Sequence, residues 1–454
     1  MSAPSKVDGS TVSATHSGLL DLRSCPGAGD ELYEIIERLF PFCRSITGNG
    51  VRQTLAVVGE RIPLQIREIP TGTAVFDWTI PKEWNIRDAS IKDESGHRVV
   101  DFRSSNLHVV NYSVPVRRRM TMDQLRPHLH SLPDRPDWIP YRTSYYNESW
   151  GFCLTHKQLE SMRDAEYEVC IDSTLEPGAL TYAECLLPGE IDEEILLSAH
   201  VCHPSLANDN LSGIALLTWL GERLKAVGHR YSYRLIFAPG TIGSITWLAR
   251  NEDKVHRICH GLVLACLGDQ GGPTYKCSRR GDALVDRAVS HVLTHRFPQA
   301  SIRRFSPYGY DERQYCSPGF NLPVGLLERS AYGEFPEYHT SGDNLSFITP
   351  DALSESVEMV LSILDVIERD QCYRNLNPRC EPQLGKRGLY DVIGGENNQA
   401  NFQLGMLWVL NQSDGAHSLL DIAELSRMPF EQIATCAGLL ADHGLLARVP
   451  SQLL

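Results

Sequence analysis

From Glu31 to Phe40 the apolar residues Leu32, Ile35, Ile36 and Leu39 recur at helical spacing, which predicts a helix with one buried face. The polar, glycine-rich turn Cys43-Arg-Ser-Ile-Thr-Gly-Asn-Gly follows, and a second helix is expected from Val51. Between about Ile66 and Val169 the texture changes to short β-like runs at residues 76–80, 89–100 and 107–114, broken by turn formers such as Glu94-Ser-Gly. This stretch reads as a small β-rich domain inserted into the main one. It carries the aromatic residues Tyr141, Tyr145, Tyr146, Trp150 and Phe152, which suit core packing or a substrate-pocket lining.

Past the insert the pattern alternates. Residues 194–199, 233–238 and 261–267 are near-continuous apolar runs that read as buried strands. Residues 211–224, 245–250 and 283–297 read as helices. Such alternation predicts an α/β fold, with a parallel or mixed sheet covered on both faces. Ligands in these sheets bind beyond the carboxyl ends of the strands. The polar residues that follow each strand are therefore the candidates for chemistry.

Residues 375–395 form a linker rich in Pro and Gly. Beyond about Ala400, short helices at 402–411, 419–426 and 430–442 and a strand-like 445–449 suit a winged helix-turn-helix. The domain plan is a disordered tail (1–30), a main domain (31–70 and 170–375), a β-rich insert (71–169) and a winged helix (395–454).

Composition narrows the function classes. The chain has 454 residues, 42% hydrophobic and 22% charged, as a multidomain globular protein does. No apolar run is long enough for a membrane span, and residues 1–18 lack the apolar stretch of a signal peptide. The 13 cysteines, single and in apolar contexts, fit buried thiols in a reducing cytoplasm. The net charge of −13 argues against a broad nucleic-acid footprint. Within the winged helix, 430–442 has no Lys or Arg, so packing or homodimerisation, there or through the β-rich insert, is expected rather than DNA binding.

The strand-end loops carry ligand-type residues. His200, His203 and Asp209 follow the first strand, Asp269 follows the third, and His339 lies in the polar loop Glu337-Tyr-His-Thr. Imidazole and carboxylate ligands suit zinc, and one aspartate can bridge two ions. Each residue alone has a plainer explanation, Asp209 as a helix N-cap and Asp269 as a turn former. Their conjunction at successive strand ends points to a divalent-metal hydrolase site.

Asn208-Asp-Asn-Leu-Ser-Gly resembles the bridging-aspartate motif of the co-catalytic zinc leucine aminopeptidases, and Tyr338-His339-Thr resembles that family's last ligand and its neighbouring tyrosine. Longer stretches, Cys43-Arg-Ser-Ile-Thr-Gly, Asp77-Trp-Thr-Ile-Pro, Ile139-Pro-Tyr-Arg-Thr-Ser-Tyr-Tyr and Asp311-Glu-Arg-Gln-Tyr-Cys-Ser-Pro-Gly, resemble a bacterial aminopeptidase-like family with a β-rich insert and a C-terminal winged helix. The resemblance implies an aminopeptidase-like, phosphorylase/hydrolase-like mixed sheet. It also implies one or two Zn2+ held by His200 or His203, Asp209, Asp269 and His339, with Tyr338 stabilising an oxyanion. The substrate it implies is a small peptide or an amide-containing metabolite.

The chain departs from that family at two places. Cys202 stands where an aspartate usually follows the first ligand, and Pro239-Gly240-Thr241 stands where close relatives show Pro-Glu-Thr. Glycine can neither take a proton nor bind metal. Three explanations stay open: another carboxylate (Glu312, Glu334 or Glu337) serves; the protein does other chemistry or only binds; or the glycine was introduced into the chain. The charged turn around Asp311 offers Arg313 to a substrate carboxylate or carbonyl and Glu312 to the metal or a substrate amine.

Overall fold

The computed structural model describes residues 18–23, 25–389 and 396–449. Two compact units emerge. One comprises Cys25–Arg287 with Phe297–Met359; the other includes Ala288–Arg296 and residues 360–449, with 18–23.

The larger unit is built on an eight-stranded mixed sheet. In chain order its strands are β1 (Gln65–Pro70), β2 (Ala179–Leu187), β3 (Glu194–His200), β4 (Ser232–Ala238), β5 (Ile258–Leu264), β6 (Thr274–Lys276), β7 (Ser301–Arg303) and β8 (Val324–Glu328). The spatial order is β1-β2-β4-β3-β5-β8-β6-β7. The four central strands β4-β3-β5-β8 run parallel, while β2 and β6 join them antiparallel. Every residue of β3 and of β4 is buried, as continuous apolar runs require of strands covered on both faces. Leu196, Ile236, Val263 and Leu326 bring the four central strands into one core cluster. The helix Ala28–Leu39 packs on Gly213–Leu224, and Asn49–Gly59 and Ile242–Arg250 pack on β2.

The β-rich insert has its own antiparallel sheet. Its strands are ordered Arg98–Asp101, Glu83–Lys92, Glu166–Glu176 and Val116–Thr121, around a core that includes Ile91, Val116, Phe152, Val169 and Ile171. The strand Glu166–Glu176 pairs within this sheet well past residue 169. At the other end of the chain, 1–17 lie outside the described residues, but Gly18–Arg23 is a helix with Leu19 buried, and the next helix begins at Ala28. The expected tail therefore does not extend to residue 30.

In the smaller unit, helices Glu396–Gln412, Leu419–Ser426 and Phe430–Asp442 accompany a three-stranded sheet, with Cys372–Asn375 between Asp414–Ser418 and Leu446–Arg448. The central strand of this winged helix precedes the linker, where the sequence pattern gave no strand. The last part of that linker, 390–395, lies outside the described residues.

One buried ionic group ties three strands of the main sheet. Arg234 on β4 donates to Glu194 on β3 and, at 2.8 Å, to Glu184 on β2, which also accepts from Trp247 Nε1 at 3.0 Å. All three charged side chains are buried. Arg234→Met leaves the buried Glu194 without its cation and Glu184 with only Arg67, at 3.6 Å, and removing one partner of such a group typically costs about 3–5 kcal/mol. Guanidinium unfolding is expected to show a loss of that order; a loss below about 1 kcal/mol would show that the strands do not depend on this trio.

Candidate metal centre

The carboxyl ends of β3, β4, β5 and β8 share one edge of the sheet, and the site is built there. His200 is the last residue of β3. After it the chain runs through His203 into an irregular segment, and the regular helix starts only at Gly213. Glycine is needed at that start, because a Cβ on Gly213 would come within 2.4 Å of the Leu264 carbonyl at the end of β5. Asp209 sits in the irregular segment and is fully buried.

The residues flanking Asp209 explain its position. Asn210 donates from Nδ2 to the Leu264 carbonyl at 2.9 Å and accepts from Cys266 N and Gly213 N at 3.3 Å. Asn208 donates from Nδ2 to Asp269 at 2.8 Å and accepts from Gly268 N at 2.7 Å. The Asp343 carboxylate takes the backbone N–H groups of Asn208 and Asp209 at 2.6 and 2.9 Å. Both asparagines are thus anchors, and the aspartate between them is left to face the site.

Three imidazoles converge on that aspartate. His200 Nε2 lies 2.9 Å from Asp209 Oδ1 and 3.0 Å from His203 Nδ1. His339 Nε2 lies 3.0 Å from Asp209 Oδ2, and His203 Nδ1 lies 3.7 Å from the same oxygen. His339 is reached through a left-handed backbone, φ 54°. Burial pushes the His203 imidazole down to about 3, so it is neutral at physiological pH. Burial alone would raise the Asp209 carboxyl; His203, His200 and His339 outweigh it and hold the group well below the ordinary carboxylate range.

This donor set fits a divalent cation. Ligand atoms of His200, His203 and Asp209 all lie within 4.8 Å of one another. A proton on His200 Nε2 cannot serve both His203 Nδ1 and Asp209 Oδ1 fully, whereas a cation is satisfied by all the lone pairs at once. His200 and His203, alternatives in the sequence, both belong to the group, and His339 adjoins it through the second oxygen of Asp209.

Tyrosines enclose the group. Tyr310 donates to Asp209 Oδ1 at 3.1 Å, contacts the Tyr338 hydroxyl at 3.4 Å and stacks on His200 at 4.8 Å between centroids. Tyr338 stacks on His339 at 4.0 Å. The insert contributes Tyr141, edge-on to both His203 and His339 at 5.2 and 5.0 Å. Burial pushes the hydroxyls of Tyr141, Tyr310 and Tyr338 up, so all three remain protonated.

The other expected site residues lie elsewhere. Asp269 accepts from Ser330 Oγ at 2.6 Å, Gly271 N at 2.7 Å and Asn208 Nδ2 at 2.8 Å. It braces Asn208 and stands outside the ligand group. Glu312 is buried against Lys276, Glu334 pairs with Arg303, and Glu337 contributes its backbone carbonyl to Thr340. Arg313 is half-buried, and its Nε has no hydrogen-bond partner among the described residues. Tyr310, Asp311, Asn208, Asn210 and Asp343, to which the sequence pattern assigns no role of their own, also line or brace the site. A Cβ on Gly240 would meet only His200 Cβ at 3.4 Å and the Asp311 carboxylate at 3.6 and 3.8 Å.

A large mixed sheet, with an irregular aspartate loop and histidines at its carboxyl edge, defines an aminopeptidase-like fold. The solved zinc aminopeptidase BSAP of Bacillus subtilis shares this fold, with a TM-score of 0.54 at 12% identity, covering 75% of this chain and 95% of that one. The chain belongs to the family of the domain of unknown function DUF4910, whose model matches residues 33–370, and a winged helix-turn-helix model matches 371–448. A Clostridium acetobutylicum protein is 53% identical over 421 residues, 93% of this chain and 97% of the relative. It is provisionally described as a polysaccharide biosynthesis protein with aminopeptidase-like domain. A crystal structure from Clostridium acetobutylicum, provisionally described as a peptidase, has a TM-score of 0.91 at 50% identity, covering 95% of this chain and all of that one.

Removing the carboxylate of Asp269 tests its assignment as a brace. Asp269→Ala is expected to lower the unfolding free energy by about 1–3 kcal/mol, the cost of stranding buried donors, while divalent-ion stoichiometry stays unchanged. Loss of the ion without loss of stability would return Asp269 to the ligand set.

Proposed function

We propose that this chain is a metal-dependent hydrolase of aminopeptidase type that cleaves an amide bond in a small peptide or amide-containing metabolite. The observation that carries the reading is the convergence of His200, His203 and His339 on the buried Asp209. The aminopeptidase-like fold and the relatives' descriptions support it.

A bound Zn2+ supplies Lewis-acid polarisation of the scissile carbonyl. The chain's own groups supply the rest. His200, His203 and the ionised Asp209 would hold the cation. The protonated hydroxyl of Tyr338, 3.4 Å from that of Tyr310, can donate to an oxygen that gains negative charge in the transition state. Tyr141 covers His203 and His339 and keeps bulk water from that side.

A second reading, ligand binding without turnover, is favoured by one observation: Gly240 has no side chain where the resemblance implies a base. Purified protein is expected to hold about one equivalent of zinc, and Asp209→Ala to lose it. Chelation should abolish hydrolysis of aminoacyl anilides, and zinc should restore it. Zinc without turnover would favour the binding role. A metal-free protein would remove both readings.

The winged helix is proposed to serve homodimerisation rather than DNA binding, and no helix of the described residues is long and apolar enough to cross a membrane. With no Lys or Arg in Phe430–Asp442, retention on a DNA column is expected to be absent at low salt. Retention that falls steeply with salt would overturn this.

A further inference from the structure

The gap at Gly240 is faced by a carboxylate. Asp311 is fully buried, and its two oxygens are 3.6 and 3.8 Å from the point where a Gly240 Cβ would stand, itself 3.4 Å from His200 Cβ. Oδ1 accepts from Ser244 Oγ at 3.0 Å, on the helix that follows the Gly240 loop. Oδ2 is buried and has no hydrogen-bond partner among the described residues. A buried carboxylate oxygen left without a donor is costly, and folded proteins keep few of them.

Structural duties do not explain the residue. Asp311 precedes the helical turn Glu312–Tyr315, yet its side chain makes no capping hydrogen bond. Only its carbonyl serves the turn, accepting from Gln314 N and Tyr315 N. The turn itself is fixed from other points. Glu312 is ion-paired with the buried Lys276, whose Nζ donates to the Tyr308 carbonyl at 2.7 Å, and the Tyr315 hydroxyl meets Ser198 Oγ of β3 at 3.2 Å. Tyr310, one residue earlier, is hydrogen-bonded to Asp209. Asp311 is thus held rigidly beside His200 with one oxygen uncommitted.

We infer that Asp311 is the catalytic proton acceptor of this site, taking the role for which Gly240 offers no side chain; the inference rests on the amide-hydrolase reading above. Asp311 Oδ2 takes a proton from the attacking water as the water oxygen bonds to the carbonyl carbon. The same proton passes to the amide nitrogen as the C–N bond breaks, and the products are a carboxylic acid and an amine. Its buried Oδ2, which no donor of the described residues engages, is the oxygen open to accept and return that proton.

The test uses the full chain loaded with zinc. Asp311→Asn keeps the shape and removes the basicity. On an aminoacyl anilide, kcat is expected to fall about 10²–10⁴-fold with KM little changed and zinc content unaltered. Gly240→Glu in the Asp311→Asn background is expected to recover at least about tenfold of that loss, which a structural role for Asp311 would not allow. An activity-free readout is proton release on binding an aminoacyl hydroxamic acid, measured by calorimetry in buffers of different ionisation enthalpy. In the wild type the inhibitor's proton stays on Asp311, whereas in Asp311→Asn about one proton passes to the buffer. Zinc-loaded Asp311→Asn with wild-type kcat and unchanged proton release overturns the inference alone. Wild-type protein without zinc, or with zinc and no turnover, overturns the hydrolase reading and the inference with it.

Discussion

A carboxylate with no exposure to water cannot stay ionised without compensation, and Asp209 is in that position. Its compensation is the ring of His200, His203, His339 and the Tyr310 hydroxyl. Most of the local architecture follows from holding that one group still. Asn208 and Asn210 fasten the chain on either side of it, to the turn after β5 and to the end of β5, and Asp343 takes the two backbone donors beside it. The sheet supplies the platform: β3 delivers His200 and β5 delivers Leu264 and Cys266 to the same edge because the central strands run parallel. An antiparallel pairing would send those ends in opposite directions.

What could be read from the sequence was set by how local the information is. The strands β3, β4 and β5 are continuous apolar runs, and no other element suits them. The helices 419–426 and 430–442 carry clear apolar stripes, and the structure has them at the same residues. The strand Cys372–Asn375 was not legible, because four residues of mixed burial become a strand only through pairing with Asp414–Ser418 and Leu446–Arg448. At the site, His200, His203, Asp209 and His339 are legible as ligand-type residues after strand ends. Asp269 is turned toward other partners for a geometric reason. β5 ends at Leu264, and the chain turns at Cys266 with a left-handed φ of 50°. By Asp269 the carboxylate has been redirected to Asn208 and Ser330.

The charged turn shows the same limit. Asp311, Glu312 and Arg313 are adjacent in sequence and chemically similar as candidates. Only the direction of the turn separates them: Glu312 points to Lys276, while Asp311 faces Gly240 and His200. Pattern alone marks the segment as functional and cannot choose the residue.

Charge balance at the edge bears on the number of ions the site suits. Two Zn2+ need several carboxylates to offset them, since neutral imidazoles add no negative charge. The loop after β4 offers Gly240 and Thr241, and Asp269 is spent on bracing. Cys202 directs its thiol toward the Gly240 carbonyl at 3.9 Å, and Cys266 meets the Tyr310 hydroxyl at 3.6 Å. Burial pushes the Cys202 thiol up to about 12 and the Cys266 thiol well above its ordinary value, so neither contributes a thiolate by itself. Asp209 and Asp311 remain as the acids beside His200. Uncompensated charge in a buried site is expensive, so these carboxylates set the charge that the edge can balance. Among the described residues, His200, His203 and Asp209 are the acids and imidazoles that come together as a ligand group at this edge. His339 adjoins that group through the second Asp209 oxygen, so the one buried aspartate fixes the placement of all three imidazoles.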